Sequence, residues 1–232
     1  MAADRLWCVV PAAGRGQRFG AECPKQYVAL GGRPLIEWTL ERLAATPCIA
    51  GILLVLAADD RRWVRRESVG GKPLLVATGA AERSGSVLAG LRALPPDVGD
   101  EAFVLVHDAA RPCVPAADIL RLVALGGAAG GGLLAAPLRD TLKRADGAGR
   151  VAATESREAR WRALTPQLFR RGELVAALAR AHADGAAITD ESMAMERVGH
   201  RPLLVEGAES NIKVTTPADL ALAEYLLLRA EG

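Results

Sequence analysis

The strongest constraint on this chain is an alternation. Short, uninterrupted apolar runs are separated by segments with helical spacing. Leu6 to Val10 is such a run, stopped by Pro11; Ile49 to Ala57, Leu74 to Ala77, Phe103 to Val106 and Leu133 to Ala136 follow. Runs apolar at every position read as strands buried on both faces. Between them, Pro34 opens a segment with Leu35, Ile36, Leu40 and Leu43 on one face. Asp59 is placed to cap a short charged helix through Arg66. Val87, Leu88 and Leu91 share a face of a helix starting near Ser84, and Pro115 opens another helix to about Leu125. The expectation is an α/β, Rossmann-like, mainly parallel sheet with helices on both faces. Such sheets bind ligands at the carboxyl ends of their strands.

The alternation breaks between about Leu138 and Thr154. Two weakly apolar arms flank Asp146-Gly147-Ala148-Gly149, a hairpin signal. Arms with so little apolar surface are not stable alone. The hairpin is either a solvated surface feature or one that leans on its own domain or a second chain. A helix from about Arg171 to Ala183, a short helix after Thr189-Asp190, a strand at Leu203 to Val205 and a helix opened by Thr216-Pro217 complete the chain. Nothing resembles an interdomain linker, so one domain over 1–232 is expected, with an extended arm at about 138–156.

Composition removes several function classes. Of 232 residues, 29 are Lys or Arg and 27 Asp or Glu, a formal charge of +2 that argues against a nucleic-acid or membrane-surface protein. The apolar runs fall well short of the ~18 residues a membrane span needs. The apolar region near the N-terminus is too short for a secretory signal. Cys8, Cys23, Cys48 and Cys113 form no CxxC pair and no zinc spacing, so a reducing, cytoplasmic setting is expected. No GxSxG elbow or HExxH accompanies the three histidines, and His182 and His200 read as surface residues.

Three segments can carry chemistry. After the first strand, residues 11–25 read PAAGRGQRFGAECPK. Small residues there let backbone N–H groups approach a ligand, and Arg15, Arg18 and Lys25 add cations suited to a triphosphate. No Gly-Lys-Ser/Thr follows, so this is not a Walker A loop, and Pro24 interrupts any dinucleotide fingerprint. After the fourth strand, Asp108 in HDAARP is placed to hold a ribose hydroxyl or assist a metal, or merely to cap a turn. His107 reads equally as packed or functional. Near the C-terminus, Asn211-Ile-Lys213 reads as a short strand whose lysine faces either the rim or solvent.

Taken together, PAAGRGQRFGAECPKQY, AERSGSVLAGL, VHDAARPCV, LRDTLKR, RWRALTPQLF, ITDESM and SNIKVTTPADLALAE resemble the 2-C-methyl-D-erythritol 4-phosphate cytidylyltransferases of the non-mevalonate isoprenoid pathway, in family order and over nearly the whole chain. The resemblance implies that CTP and methylerythritol phosphate give CDP-methylerythritol and pyrophosphate, by in-line attack of a substrate phosphate oxygen on the α-phosphorus. It implies Mg²⁺ held mainly by the CTP phosphates. It implies that Arg18 and Lys25 stabilise the transition state, and that Ala12, Ala13, Gly14 and Gly16 offer backbone to the nucleotide. Ala80 and Ser86 would read cytosine, and Asp108 and Ala109 would lie at the ribose. Lys213, Thr165, Thr189 and Arg157 would hold the acceptor, with Arg111 a weaker candidate. Thr141 and Arg157 would complete the site of a partner subunit reached by the hairpin, in a homodimer. Many relatives carry Gly-Gly where Gly79-Ala80 stands here, and an acidic residue where Ser210 stands. A related family that makes CDP-ribitol shares the PKQY and HDAARP elements. Ribitol 5-phosphate is therefore the competing acceptor, a non-catalytic CTP-binding protein the alternative of another class, and a dinucleotide-dependent oxidoreductase a distant third.

Overall fold

A computed structural model describes residues 6–14 and 23–229. In chain order the elements are β1 (Leu6–Pro11), a 3-10 turn (Lys25–Tyr27), β2 (Ala29–Leu30), β3 (Arg33–Pro34), α1 (Leu35–Ala44), β4 (Ile49–Leu56), β5 (Ser68–Val69), β6 (Lys72–Thr78), α2 (Arg83–Arg92) and β7 (Phe103–Val106). They continue with α3 (Ala116–Ala128), β8 (Gly132–Pro137), β9 (Leu142–Ala145), β10 (Val151–Glu155), β11 (Trp161–Arg170), α4 (Arg171–Ala183), α5 (Glu191–Arg197), β12 (Leu203–Glu206) and α6 (Pro217–Arg229).

One sheet runs in the order β12-β8-β11-β7-β1-β4-β6-β5. β1 is parallel to both β4 and β7, and β12 is parallel to β8. The alternating residues of β1 explain why its run is apolar throughout. Cys8 and Val10 face a core shared with Ile36 and Leu40 of α1 and Ile119 and Leu122 of α3. Val9 faces the opposite core, with Val87 and Leu91 of α2 and Leu174 and Leu178 of α4. A third cluster packs α6 through Ala223 and Leu227 against Leu30, Leu35 and Val214.

From β1 the chain winds outward through β4 and β6, then returns to β7 on the other side of β1. The strand order therefore reverses between β1 and β7, where neighbouring connections diverge and leave a crevice at the carboxyl ends.

Two sequence expectations are corrected. The segment from Asp59 to Arg66 is not helical. Asp60 spends one carboxylate oxygen on a turn, accepting from the N–H groups of Arg62 (2.9 Å) and Trp63 (3.2 Å), and the other on the Tyr27 hydroxyl (2.8 Å). Residues 211–213 form no strand; Asn211 and Ile212 N–H make local turn bonds, and Val214 N–H donates to the Ala110 carbonyl at 2.8 Å. A further strand, β11, has no counterpart among the sequence expectations. It is a ten-residue strand inside the sheet, antiparallel to both β7 and β8. The hairpin itself forms as β9 and β10, a separate two-stranded sheet closed at Asp146, whose carboxylate accepts from the N–H groups of Ala148 and Arg150.

Candidate functional site

The crevice at the strand reversal is lined by Ala12, Ala13 and Gly14 after β1, Lys25 and Gln26 of the 3-10 turn, Ala80 to Arg83 and Ser86 around the start of α2, Asp108 to Ala110 after β7, and Lys213. Nine of the residues singled out in the sequence meet here: Ala12, Ala13, Gly14, Lys25, Ala80, Ser86, Asp108, Ala109 and Lys213. Gly16 and Arg18, with Arg15, lie outside the described residues.

Lys25 is set in place by its neighbours. Gln26 is buried and its side-chain amide donates to the Ala12 carbonyl at 2.7 Å, tying the 3-10 turn to the loop after β1. On the other side Tyr27 is anchored to Asp60. At the start of α2, the Ser86 hydroxyl accepts from Ala80 N–H at 3.0 Å, and its one proton is shared between the carbonyls of Glu82 (3.0 Å) and Ala80 (3.1 Å). Gly79 is required by close approach: a Cβ there would lie 2.7 Å from both the Ala13 Cβ and the Ser86 Oγ. Ala80 lies outside the positive-φ region, so alanine is unstrained there.

Asp108 is the electrostatic centre. It is 7% exposed, and its Oδ1 accepts from Arg83 Nε at 3.0 Å while its Oδ2 accepts from Lys213 Nζ at 2.8 Å. Burial alone would raise its pKa, but Arg83 and then Lys213 outweigh that and hold the carboxyl well below the usual range. Arg83 also donates to both oxygens of Glu191, at 2.6 and 3.1 Å. Sequence reading missed Arg83 and Glu191. They are 108 residues apart, and a charge in the first turn of a helix ordinarily reads as solvated.

Behind Asp108 lies a buried polar layer. Its backbone N–H donates to Thr165 Oγ1 at 3.0 Å, and that hydroxyl is 3.0 Å from His107 Nδ1. His107 Nε2 lies 3.0 Å from the Arg111 carbonyl. A carbonyl only accepts, so Nε2 carries the proton and Nδ1 accepts from Thr165. Arg111 donates to the Asn211 carbonyl at 2.7 Å, and Asn211 donates to the Thr165 carbonyl at 2.8 Å. Thr165 and Arg111 thus back the crevice rather than line it.

Three other expected residues stand away from the crevice within this protomer. Thr141 is exposed beside β9, Arg157 is exposed and donates to the Arg139 carbonyl, and Thr189 is exposed with its hydroxyl on Met193 Sδ. Glu209, beside Ser210, pairs with Arg139 and Arg162 outside the crevice. His182 is half-buried, not a surface residue, with Nε2 3.0 Å from Ser84 Oγ.

The sequence model of one family, described as 2-C-methyl-D-erythritol 4-phosphate cytidylyltransferase, matches residues 6–229. The chain belongs to that family. A cytidylyltransferase of that name from Xanthomonas oryzae pv. oryzae (strain PXO99A) is 57% identical over 228 residues, covering 98% of this chain and 84% of the relative. Its namesake from Xanthomonas axonopodis pv. citri (strain 306) is 56% identical over 223 residues, covering 96% and 84%. The solved Francisella tularensis 2-C-methyl-D-erythritol 4-phosphate cytidylyltransferase superposes with a TM-score of 0.81 at 30% identity, covering 96% of this chain and all of that one. A solved 4-diphosphocytidyl-2C-methyl-D-erythritol synthase gives 0.83 at 35%, covering 97% and 99%. The Rossmann-like, mainly parallel fold read from the sequence is therefore that of the cytidylyltransferase family. Among the described residues, no helix is long and apolar enough to cross a membrane.

Proposed function

We infer that this chain is a nucleotidyltransferase of isoprenoid biosynthesis, joining the cytidylyl group of CTP to 2-C-methyl-D-erythritol 4-phosphate with release of pyrophosphate. Family membership supports the reaction. The observation that carries it to this chain's own atoms is that one crevice at the strand reversal gathers Lys25, Asp108 and Lys213 beside close-approach backbone at Ala12 to Gly14.

In-line displacement at the α-phosphorus asks the protein for positioning and charge neutralisation rather than a covalent intermediate. Around the crevice Lys25, Arg83, Arg111 and Lys213 outnumber the carboxylates of Glu82, Asp108 and Glu191, which suits two anionic reactants. Lys25, with Arg18 from the adjoining loop, neutralises charge at the α-phosphate. Ala12, Ala13, Gly14 and Gly16 offer backbone to the triphosphate, and the loop before α2 and its first turn present Ala80 and Ser86 to the base. Asp108 and Ala109 lie at the ribose. Lys213 holds the acceptor phosphate, with Thr165 and Arg111 in the buried layer behind it.

Magnesium fits as an ion carried by the nucleotide. Among the described residues no three His, Cys, Asp or Glu side chains come together as a metal site, and both oxygens of Asp108 are engaged by cations. Mg²⁺ usually binds through substrate phosphates with few protein ligands, so the CTP phosphates would hold it. When bound it supplies additional positive charge to the phosphates. A homodimer in which the hairpin brings Thr141 and Arg157 to the partner's crevice completes the reading, in a cytoplasmic setting.

The test is a pyrophosphate-release panel crossing CTP, UTP and ATP with methylerythritol 4-phosphate and ribitol 5-phosphate in the presence of Mg²⁺. Release with CTP and methylerythritol 4-phosphate, and little with ribitol 5-phosphate, is expected. The reverse preference moves the chain to the ribitol enzymes. Tight CTP binding with no release from any acceptor makes it a nucleotide-binding protein.

A further inference from the structure

Arg83 stands between two buried carboxylates. Nε donates to Asp108 Oδ1, and the two terminal nitrogens hold both oxygens of Glu191, which is wholly buried. The second Asp108 oxygen is held by Lys213. If Lys213 takes the acceptor phosphate, as the functional reading above requires and on which this inference rests, the phosphate competes with Asp108 for that ammonium, and full transfer takes it from Asp108. A buried carboxylate that loses its counterion is strongly destabilised, so the departure of Lys213 needs another cation to remain in hydrogen-bonding contact. Arg111 does not meet that need: its Nε is 3.7 Å from Asp108 Oδ2 and makes no hydrogen bond. Arg83 does. Its planar fork is committed to Glu191 on one edge, so it stays against Asp108 on the other. Lys213, a point charge on a flexible stem whose side chain is 36% exposed against 27% for Arg83, is the cation able to move.

We propose that Arg83, pinned by Glu191, is the standing counterion of Asp108, and that this pair is what frees Lys213 to transfer from Asp108 to the phosphate of the acceptor. Arg83 and Glu191 are positioning residues in this scheme, acting through Asp108 and Lys213. The charge of Arg83 agrees with it, although burial raises the pKa of Glu191. Burial works against a charged Arg83, but Glu191 and then Asp108 outweigh burial and hold the guanidinium protonated.

The test uses Arg83→Met with Glu191→Gln, which removes the guanidinium without stranding a carboxylate. Wild-type protein is assayed first with CTP, Mg²⁺ and methylerythritol 4-phosphate, and absence of turnover there overturns the functional reading itself. With an active wild type, Asp108 in the double variant keeps Lys213 as its hydrogen-bonded cation, with Arg111 Nε farther off at 3.7 Å. KM for the acceptor is then expected to rise by about tenfold or more, while the Kd for CTP, from calorimetric titration, changes by less than about threefold. A general loss of structure moves both constants or only the active fraction. Equal changes in both constants, or an unchanged acceptor KM, overturn the proposal and leave the functional reading standing. Arg83→Lys keeps a charge but cannot bridge both carboxylates, and it replaces the double variant if that one does not fold. A wild-type acceptor KM in Arg83→Lys likewise overturns the proposal.

Discussion

A proton added to His107 would break the polar layer behind Asp108. The ring is wholly buried, its Nδ1 accepts from Thr165, and Thr165 in turn accepts from the Asp108 N–H. Protonated Nδ1 would turn a second donor toward that hydroxyl. Burial, opposed by the Arg111 carbonyl and Asp108, lowers the His107 pKa from 6.5 to about 4. The unfolded chain therefore binds a proton between these values that the folded chain refuses. Stability is full above about pH 6.5 and falls as the pH drops toward 4, by ~3 kcal/mol from this residue. Asp108, whose pKa is held down when folded, adds to the loss only at still lower pH. Urea unfolding at pH 7, 5.5 and 4.5 is expected to show the decline, and His107→Gln, which cannot titrate, to flatten it. Parallel declines in both proteins would remove His107 as the cause.

At the scale of elements, α2 packs against the sheet with no room for a side chain at Gly90. A Cβ at Gly90 would come within 2.7 Å of Val9 Cγ1 and of Val55 Cγ2, both on stiff, branched side chains of β1 and β4. Gly90→Ala is expected to cost about 1–3 kcal/mol in overpacking, against the ~1 kcal/mol that alanine ordinarily gains over glycine in a helix. It would also shift the first turn of α2, where Arg83 and Ser86 face the crevice. Gly127 of α3 is the control: nothing lies within 4 Å of its added Cβ, so Gly127→Ala is expected to stabilise by up to ~1 kcal/mol. Opposite signs in denaturant midpoints are the expected result, and a stabilising Gly90→Ala would contradict the close approach. The same elements explain what the sequence disclosed. β1 and β4 were legible because both faces are buried and every position is apolar. β11 was not, because its first three residues are exposed and Pro166 sits within it, and proline ordinarily argues against an interior strand. Here the pairing with β8 shifts register between Ala163 and Gln167, and the strand continues past the proline. The crevice was legible where its residues sit in local motifs after strand ends. The Arg83–Glu191 pair was not, since only the fold brings those positions together.

At the scale of the whole molecule, the sheet accounts for the core and leaves the hairpin unexplained. Residues 143–151 are all exposed, with Val151 at 66%, and the arms are joined by surface contacts such as Lys143 to Thr154 at 2.6 Å and Arg144 to Glu155 at 3.1 Å. Surface ion pairs of this kind are worth only ~0–1 kcal/mol each, and a two-stranded hairpin is marginal without a face to pack on. Contact with a second copy would supply that face, and it would also give a use to Thr141 and Arg157, which stand at the base of the hairpin away from their own crevice. Symmetric association of this kind places each arm on the other subunit. Removing Arg144 to Val151 separates the two accounts of the hairpin. The sheet loses none of its strands, so the fold and its melting temperature should be little changed. Light scattering is expected to fall from the mass of two chains to that of one, and turnover to drop by about a hundredfold or more as positioning of the acceptor is lost. A truncated monomer that still turns over at the full rate would mean that each crevice is complete within one chain.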